Sequence, residues 1–301
     1  MTIKRQHYVP QFYLKEFKIP NKNGSQISCF DKKLDSIFVA SVSKVAAESY
    51  FNDFDEDQSF EKALSKFEGM VIDHYKNLVK SQSLAKLTPV DKAAIAYFIA
   101  VQHSRTRRSR DIIKDASEKV LEQAQEIGVV PDKRVYELFT EEGAKRFQYH
   151  LMAMTSSKFT KLLLKRKWTL VINQTEIPFW TSDSPLVYFN SFPYDKHDGF
   201  GFERSGSELY FPMNPWLNLA VIDERIFQNV PDEIVVDDED EIIFYNQLQV
   251  IFSKRFIYSS NKDFSIAQDI LINAPSLKNV NRNYFENEGV DLSNFFTDDT
   301  S

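Results

Sequence analysis

The densest run of chemically capable side chains is Gln102-His103-Ser104-Arg105-Thr106-Arg107-Arg108-Ser109-Arg110. If one helix runs through it, Gln102, Arg105, Thr106 and Ser109 share a face, and His103, Arg107 and Arg110 share another. Ile95, Phe98 and Ile99 precede the run at helical spacing, which turns Gln102, Arg105 and Thr106 toward the core. A guanidinium entering a core needs a carboxylate or a phosphate, because an unpaired buried charge is costly. Two readings therefore stay open. Arg105 can belong to a ligand site that takes phosphate through its forked donors, or to a buried ion-pair network with Glu61, Glu68 or Asp183 as internal partner. The remaining arginines read as a solvated face or as a track for a phosphate backbone.

Two further positions could carry acid–base chemistry. His7 lies in a polar and aromatic run near the start, and an imidazole titrates close to neutrality, so it can serve as general acid or base. It can equally anchor the chain end by a hydrogen bond to a backbone carbonyl. Gln11, one helical turn later, would share its face and either orient a ligand or pack. Thr181-Ser182-Asp183 ends an apolar run just before Ser184-Pro185. This pattern presents a carboxylate to a cleft, or closes an Asx turn.

Assembled as an enzyme, these residues suit phosphodiester cleavage or nucleotide handling. His7 is then the acid/base, Arg105 stabilises phosphate charge, and Asp183 is a metal ligand or second acid/base. Gln11, Gln102, Thr106 and Ser182 contact substrate, and Glu61 and Glu68 help gather a divalent metal such as Mg. Nucleic acid or a nucleotide would be the partner of the arginine cluster. Assembled as a non-catalytic module, the same residues form a structural network or a binding pocket, and the loop at 191–207 with exposed aromatics meets a protein partner. The enzyme requires His7, Arg105 and Asp183 in one water-accessible cleft; the module requires them apart, or mutually paired and dry. A metal enzyme further requires two or more carboxylates within about 5 Å of a common point.

Standard sites are missing from the sequence. There is no GxxxxGK[ST] or GxGxxG phosphate loop, no GxSxG elbow and no HExxH. One cysteine and 5 histidines are too sparse for a structural zinc site. Cys29 reads as part of a buried strand rather than as a nucleophile. His74 and His150 read as surface positions on helices, and His197 stands alone.

The elements that must position these residues fall into four regions. Residues 1–57 open with HYVPQFYLKEF, in which Val9, Phe12, Tyr13 and Phe17 form a helical stripe with Pro10 in the first turn. ISCF and SIFVAS follow as a hairpin across DKKLD. Residues 58–168 are helical. The first helix starts at Ser59 and buries Phe60, Leu64, Phe67 and Val71; the second starts at Thr88-Pro89 and stops at Gly128 before Pro131; the third spans 141–167. Whether the second breaks near Ser104–Ser109 or runs through is open. Residues 169–260 hold short strands (TLVIN, PFWTSD, LVYFN, ELYFPM, LNLAVID, RFIYSS), a loop at 193–207, and an acidic stretch, DEIVVDDEDE, leading into a helix around FYNQLQVIFSK. Residues 261–301 read as a peripheral segment with an acidic tail. Helices in one block and strands in another predict an α+β fold: one domain over 1–260, with a helical subdomain (58–168) against a mixed or antiparallel sheet (169–260) that the N-terminal hairpin could join.

The composition, 43% hydrophobic with 26 Phe and 13 Tyr, suffices for a sizeable core and excludes global disorder. A net charge of −6 leaves no global field for nucleic acid, so phosphate contact must be local. A lone cysteine, no apolar leader in residues 1–10, and no run near the ~18 apolar residues a span needs together predict a cytoplasmic, non-membrane chain.

HYVPQFYLKEF resembles the opening signature of a family of uncharacterised bacterial proteins, DUF4238. Glu61 and Glu68 seven apart, QHSRT (102–106), FWTSDSPL (179–186) and FPMNP (211–215) fit the same pattern, so the resemblance spans roughly residues 5–260. Asn214 stands where a serine is expected in the Pro-x-x-Pro element. The family carries no established activity; its members' resemblance to accessory genes implies a toxin or defence effector.

Overall fold

The computed structural model describes residues 3–20, 24–54, 57–191, 202 and 204–282. The chain opens with a short strand, β1 (Arg5–His7), turns through Tyr8, Val9 and Pro10, and enters a one-turn helix, α1 (Gln11–Leu14). Pro10 precedes this helix rather than occupying its first turn, and the Leu14 N–H donates to its carbonyl. The predicted stripe is buried: Val9, Tyr13 and Phe17 are inaccessible and Phe12 nearly so. The hairpin forms as expected from β2 (Gln26–Asp31) and β3 (Ser36–Ser41). A short β4 (Ala47–Ser49) then returns to pair antiparallel with β1, setting Gln6 opposite Glu48.

Five helices follow: α2 (Ser59–Ser81), α3 (Pro89–Ser104), α4 (Arg107–Glu126), α5 (Lys133–Glu137) and α6 (Glu141–Leu164). At the start of α3 the Thr88 hydroxyl accepts from the Asp91 N–H while the Asp91 carboxylate accepts from the Thr88 N–H, so the cap satisfies both orphan donors. The long helical run does break. Arg105 ends α3, and Thr106, at φ −76° and ψ 161°, leaves helical space to cap α4 through its hydroxyl, which accepts from the Ser109 N–H. Gly128, at φ +70°, stops α4 where a side chain would be strained.

The strands are β5 (Lys167–Asn173), β6 (Thr181–Ser182), β7 (Val187–Asn190), β8 (Ser207–Asn214), β9 (Leu217–Ile222), β10 (Glu233–Val236) and β11 (Phe256–Ser259), with α7 (Glu239–Phe252) before β11 and α8 (Ser265–Asn273) after it. They form a five-stranded sheet, β10-β5-β9-β8-β7, and a four-stranded antiparallel sheet, β3-β2-β11-β6, which takes in the N-terminal hairpin. The fold is thus α+β with mixed and antiparallel sheets. The acidic stretch before α7, expected to run straight into it, first forms β10, parallel to β5 with Ile234 opposite Val171. The segment beyond 260, expected to be peripheral, contributes α8, whose Ala267, Ile270 and Leu271 are buried with Phe30, Trp180 and Ile257. His197 and the acidic tail lie outside the described residues, as does most of the 193–207 loop.

The largest core cluster joins the N-terminal segment (Tyr8 to Phe17) to α2 through Tyr75 and Leu78, to α3 through Ile95 and Phe98, and to the large sheet through Phe211 and Leu217. At about 1.5–3 kcal/mol for each large apolar side chain removed from water, that segment is the wedge on which both layers close. Its polar tips are satisfied: the Tyr13 hydroxyl donates to the Pro212 carbonyl at 2.8 Å and bonds Thr181 Oγ1 at 2.7 Å, and the Tyr75 hydroxyl donates to the Met213 carbonyl. Among the described residues no helix is long and apolar enough to cross a membrane.

Candidate functional site

The break between α3 and α4 lies against β1, and that contact organises the polar interior. Arg105, 3% exposed, donates from Nη2 to the His7 carbonyl at 2.7 Å and from Nη1 to Glu68 Oε1 at 2.8 Å. Gln102 donates from Nε2 to the next carbonyl, that of Tyr8, at 2.9 Å. Two successive backbone oxygens of the opening motif are therefore held by two side chains of QHSRT. His7 and Gln11 do not share a helical face, because His7 ends a strand and Gln11 opens α1 beyond the turn. Burial lowers the His7 imidazole to about 4, with the charges of Arg105 and Arg5 acting in the same sense, so the ring is neutral near pH 7. Its Nε2 and Arg105 Nε are buried without a partner among the described residues.

Asp183 sits elsewhere in the hydrogen-bond network. It is 3% exposed and accepts three backbone N–H groups, those of Lys254 (2.7 Å), Arg255 (2.7 Å) and Phe256 (2.8 Å), which fixes the turn from α7 into β11. Burial pushes its carboxyl up, against those three donors and the Lys32 ammonium, which pull it down. Lys32 is itself fully buried and donates to the Val250 and Ser253 carbonyls at 2.7 Å each, where the carbonyl end of α7 favours a cation. Ser182 Oγ accepts from the Ser184 N–H, the turn reading of this motif. Thr106 is engaged as the α4 cap.

Tyr8 links the two halves, and sequence reasoning passed over it as one more aromatic. Its phenol, 5% exposed, is pushed well above its ordinary value first by burial and then by the nearby charges of Asp183 and Glu48, with Arg107 and Arg255 opposing. QHSRT thus holds the His7–Tyr8 dipeptide through its backbone carbonyls, and the Asp183 charge acts on the Tyr8 phenol.

The rest of the arginine cluster is paired with protein. Arg110, expected on the solvated face, is 1% exposed: the break rotates α4 so that its guanidinium donates to Gln148 Oε1 (2.9 Å), Glu141 Oε1 (3.1 Å) and the Phe51 carbonyl (3.0 Å), and lies 3.8 Å from the centroid of the Phe51 ring. Arg107 reaches Glu48, Asp111 and Glu141. Arg255 forks onto Asp31, and Lys254 pairs with Asp111. Gln148, Asp31, Asp111 and Glu141 carried no sequence signal, since each acts only through a partner distant in the chain.

The carboxylates read as metal ligands on α2 are both engaged by protein side chains. Glu61 accepts from Asn52 Nδ2 at 2.7 Å and Glu68 is held by Arg105. Among the described residues no three His, Cys, Asp or Glu side chains gather. The seven-residue spacing puts Glu61 and Glu68 on the same face of α2, where they meet an amide and a guanidinium.

A family model described as a protein of unknown function, DUF4238, matches residues 5–263. No curated protein and no solved structure matches the chain.

Proposed function

The chain belongs to the DUF4238 family, and from that premise we propose that it is a non-catalytic binding module in which His7, Arg105 and Asp183 hold the fold together. The observation that carries this reading is that the charged groups of the presumed site are engaged by protein: Arg105 by Glu68 and the His7 carbonyl, and Asp183 by three backbone N–H groups. A catalytic acid or electrophile must be free to meet a reacting atom at about 2.6–3.2 Å. A buried carboxylate already ringed by donors, and a guanidinium already forked onto protein, serve rigidity instead. Arg107 and Arg110 of α4 are likewise paired with Glu48, Asp111 and Glu141, which weakens the helix as a track for nucleic acid.

One observation favours a second reading, a phosphodiester-cleaving or nucleotide-handling effector of a defence or toxin system. His7 Nε2 and Arg105 Nε are both buried without a partner among the described residues, and the imidazole is neutral near pH 7 with the Arg105 charge close enough to act on it. The two readings separate in cells expressing the wild type, His7→Ala, Arg105→Ala or Asp183→Ala, scored for nucleic-acid integrity and, on purified protein, for melting temperature. The binding module predicts intact RNA and DNA throughout and lower melting temperatures in the Arg105 and Asp183 variants. Degradation by the wild type that disappears in a variant with unchanged melting overturns it.

A further inference from the structure

Away from the His7–Tyr8 junction, a groove of about 510 Å³ opens where the end of α6 and the start of β5 face the start of α3. That volume lies within the range of small-molecule sites, roughly 300–1,000 Å³. Leu84, Leu87, Pro89 and Leu164 give it an apolar wall. Lys92 projects from the first turns of α3 with its ammonium 5.0 Å from the centroid of the Trp168 ring, and Lys165, at the end of α6, lines the same groove. A second hollow of about 270 Å³ shares Lys165, Arg166 and Glu224 with the groove and extends it toward Asp223 and Arg225.

The cations lining this groove are not equivalent. Lys167 is paired with Asp232, and Arg166 is engaged by the Ser207 and Arg204 carbonyls. Lys92 and Lys165 have no carboxylate within ion-pair distance among the described residues. Partial burial holds the Lys92 ammonium below its ordinary value, Lys167 reinforcing and the charges of Asp232 and Glu224 opposing without cancelling it, so an anion docked beside it would relieve the remaining penalty. An ammonium on an indole face, a second ammonium in the same groove and an aliphatic wall suit one anionic head on an apolar body. They do not suit a polyanion, because Glu224 and Asp232 line the same groove and the whole chain carries −6.

We propose that this groove binds a small amphipathic anion, a phosphate monoester or carboxylate carrying an apolar ring or chain, with the head between Lys92 and Lys165 and the body on Leu84, Leu87 and Leu164. The proposal rests on the binding-module reading and supplies its ligand class.

Three probes test it by calorimetric titration of the full chain: phenyl phosphate, benzoate and inorganic phosphate. Phenyl phosphate or benzoate is expected to bind saturably, and inorganic phosphate about tenfold or more weaker, since burying one ring contributes at least a tenfold gain in affinity. Lys92→Met and Lys165→Met should each weaken the ring-bearing probe about tenfold, the loss of one charge-assisted contact. Lys165 is exposed, so its variant keeps the fold even if Lys92→Met does not, and melting curves check both. Saturable binding that is unchanged in Lys165→Met and in a folded Lys92→Met overturns the site, as does the absence of saturable binding with all three probes. Hydrolysis of bis(p-nitrophenyl) phosphate by the wild type, lost in His7→Ala, is the distinct failure of the underlying non-catalytic reading, and is scored separately from the titration.

Discussion

Arg105→Met removes the tie between QHSRT and the opening motif while keeping most of the side-chain volume, so the cavity term stays small. Arg105 is 2% exposed in its side chain and Glu68 is 26% exposed. The His7 carbonyl loses a charged donor at 2.7 Å, a loss of about 1.5–3 kcal/mol. Glu68, already reached by water, adds at most about 1 kcal/mol when its partner goes. Relief of the desolvation cost of the guanidinium offsets part of this, so the net destabilisation should be about 2–3 kcal/mol. For a chain of this length that is a fall of roughly 3–5 °C in melting temperature. Glu68→Gln alone should cost less than about 1 kcal/mol, and the double variant should show a coupling of about 1 kcal/mol, because the two residues share one bond. A second readout isolates the electrostatics. The His7 imidazole sits at about 4 because of burial first and the Arg105 charge second. Arg105→Met must therefore move its midpoint upward, as read by NMR titration of the ring protons. An unchanged melting temperature together with an unmoved His7 midpoint would refute the network argument. Retained stability with loss of a nucleolytic activity would recast Arg105 as catalytic.

Three further outcomes follow from the same geometry. His7 gives stability an acid-side slope. Its folded value of about 4 lies below the ordinary 6.5, so the unfolded chain takes up the proton first; this contribution is complete above pH 6.5 and declines as pH falls toward 4, by about 1–2 kcal/mol once partial exposure is allowed for. Urea midpoints across that window should show the slope in the wild type and lose it in His7→Gln. Asp183→Ala strands three backbone N–H groups and should cost about 3–5 kcal/mol in denaturant titrations, whereas Asp183→Asn, which still accepts through one oxygen, should cost about half as much; equal costs would show that the three bonds do not carry the effect. Thr106→Ala removes the α4 cap and should cost about 1 kcal/mol, with hydrogen exchange accelerating first in the Arg107–Arg110 turn; uniform acceleration along α4 would argue against a local cap.

Much of the architecture was legible from local pattern. The Thr88-Pro89 start of α3, the Gly128 stop of α4, the aliphatic face of α2 and the β2–β3 hairpin all depend on residues within a few positions of one another, and local sterics and capping act at that range. The same holds for the buried stripe of the opening motif and for the need of a buried Arg105 to find a partner. What tertiary structure alone decided was which partner. From the sequence Glu61, Glu68 and Asp183 were equivalent candidates for Arg105; the fold places Glu68 there, gives Glu61 to Asn52, and turns Asp183 toward three N–H groups more than seventy residues on. The helix break at Thr106 rotated Arg110 from the expected solvated face into a pocket of Gln148, Glu141 and Phe51. β10 exists because β5 offers it a free edge. A charge or an unpaired strand advertises its need in the sequence, but the group that meets it is chosen by packing across long loops, where closure entropy and core complementarity act and local pattern does not reach.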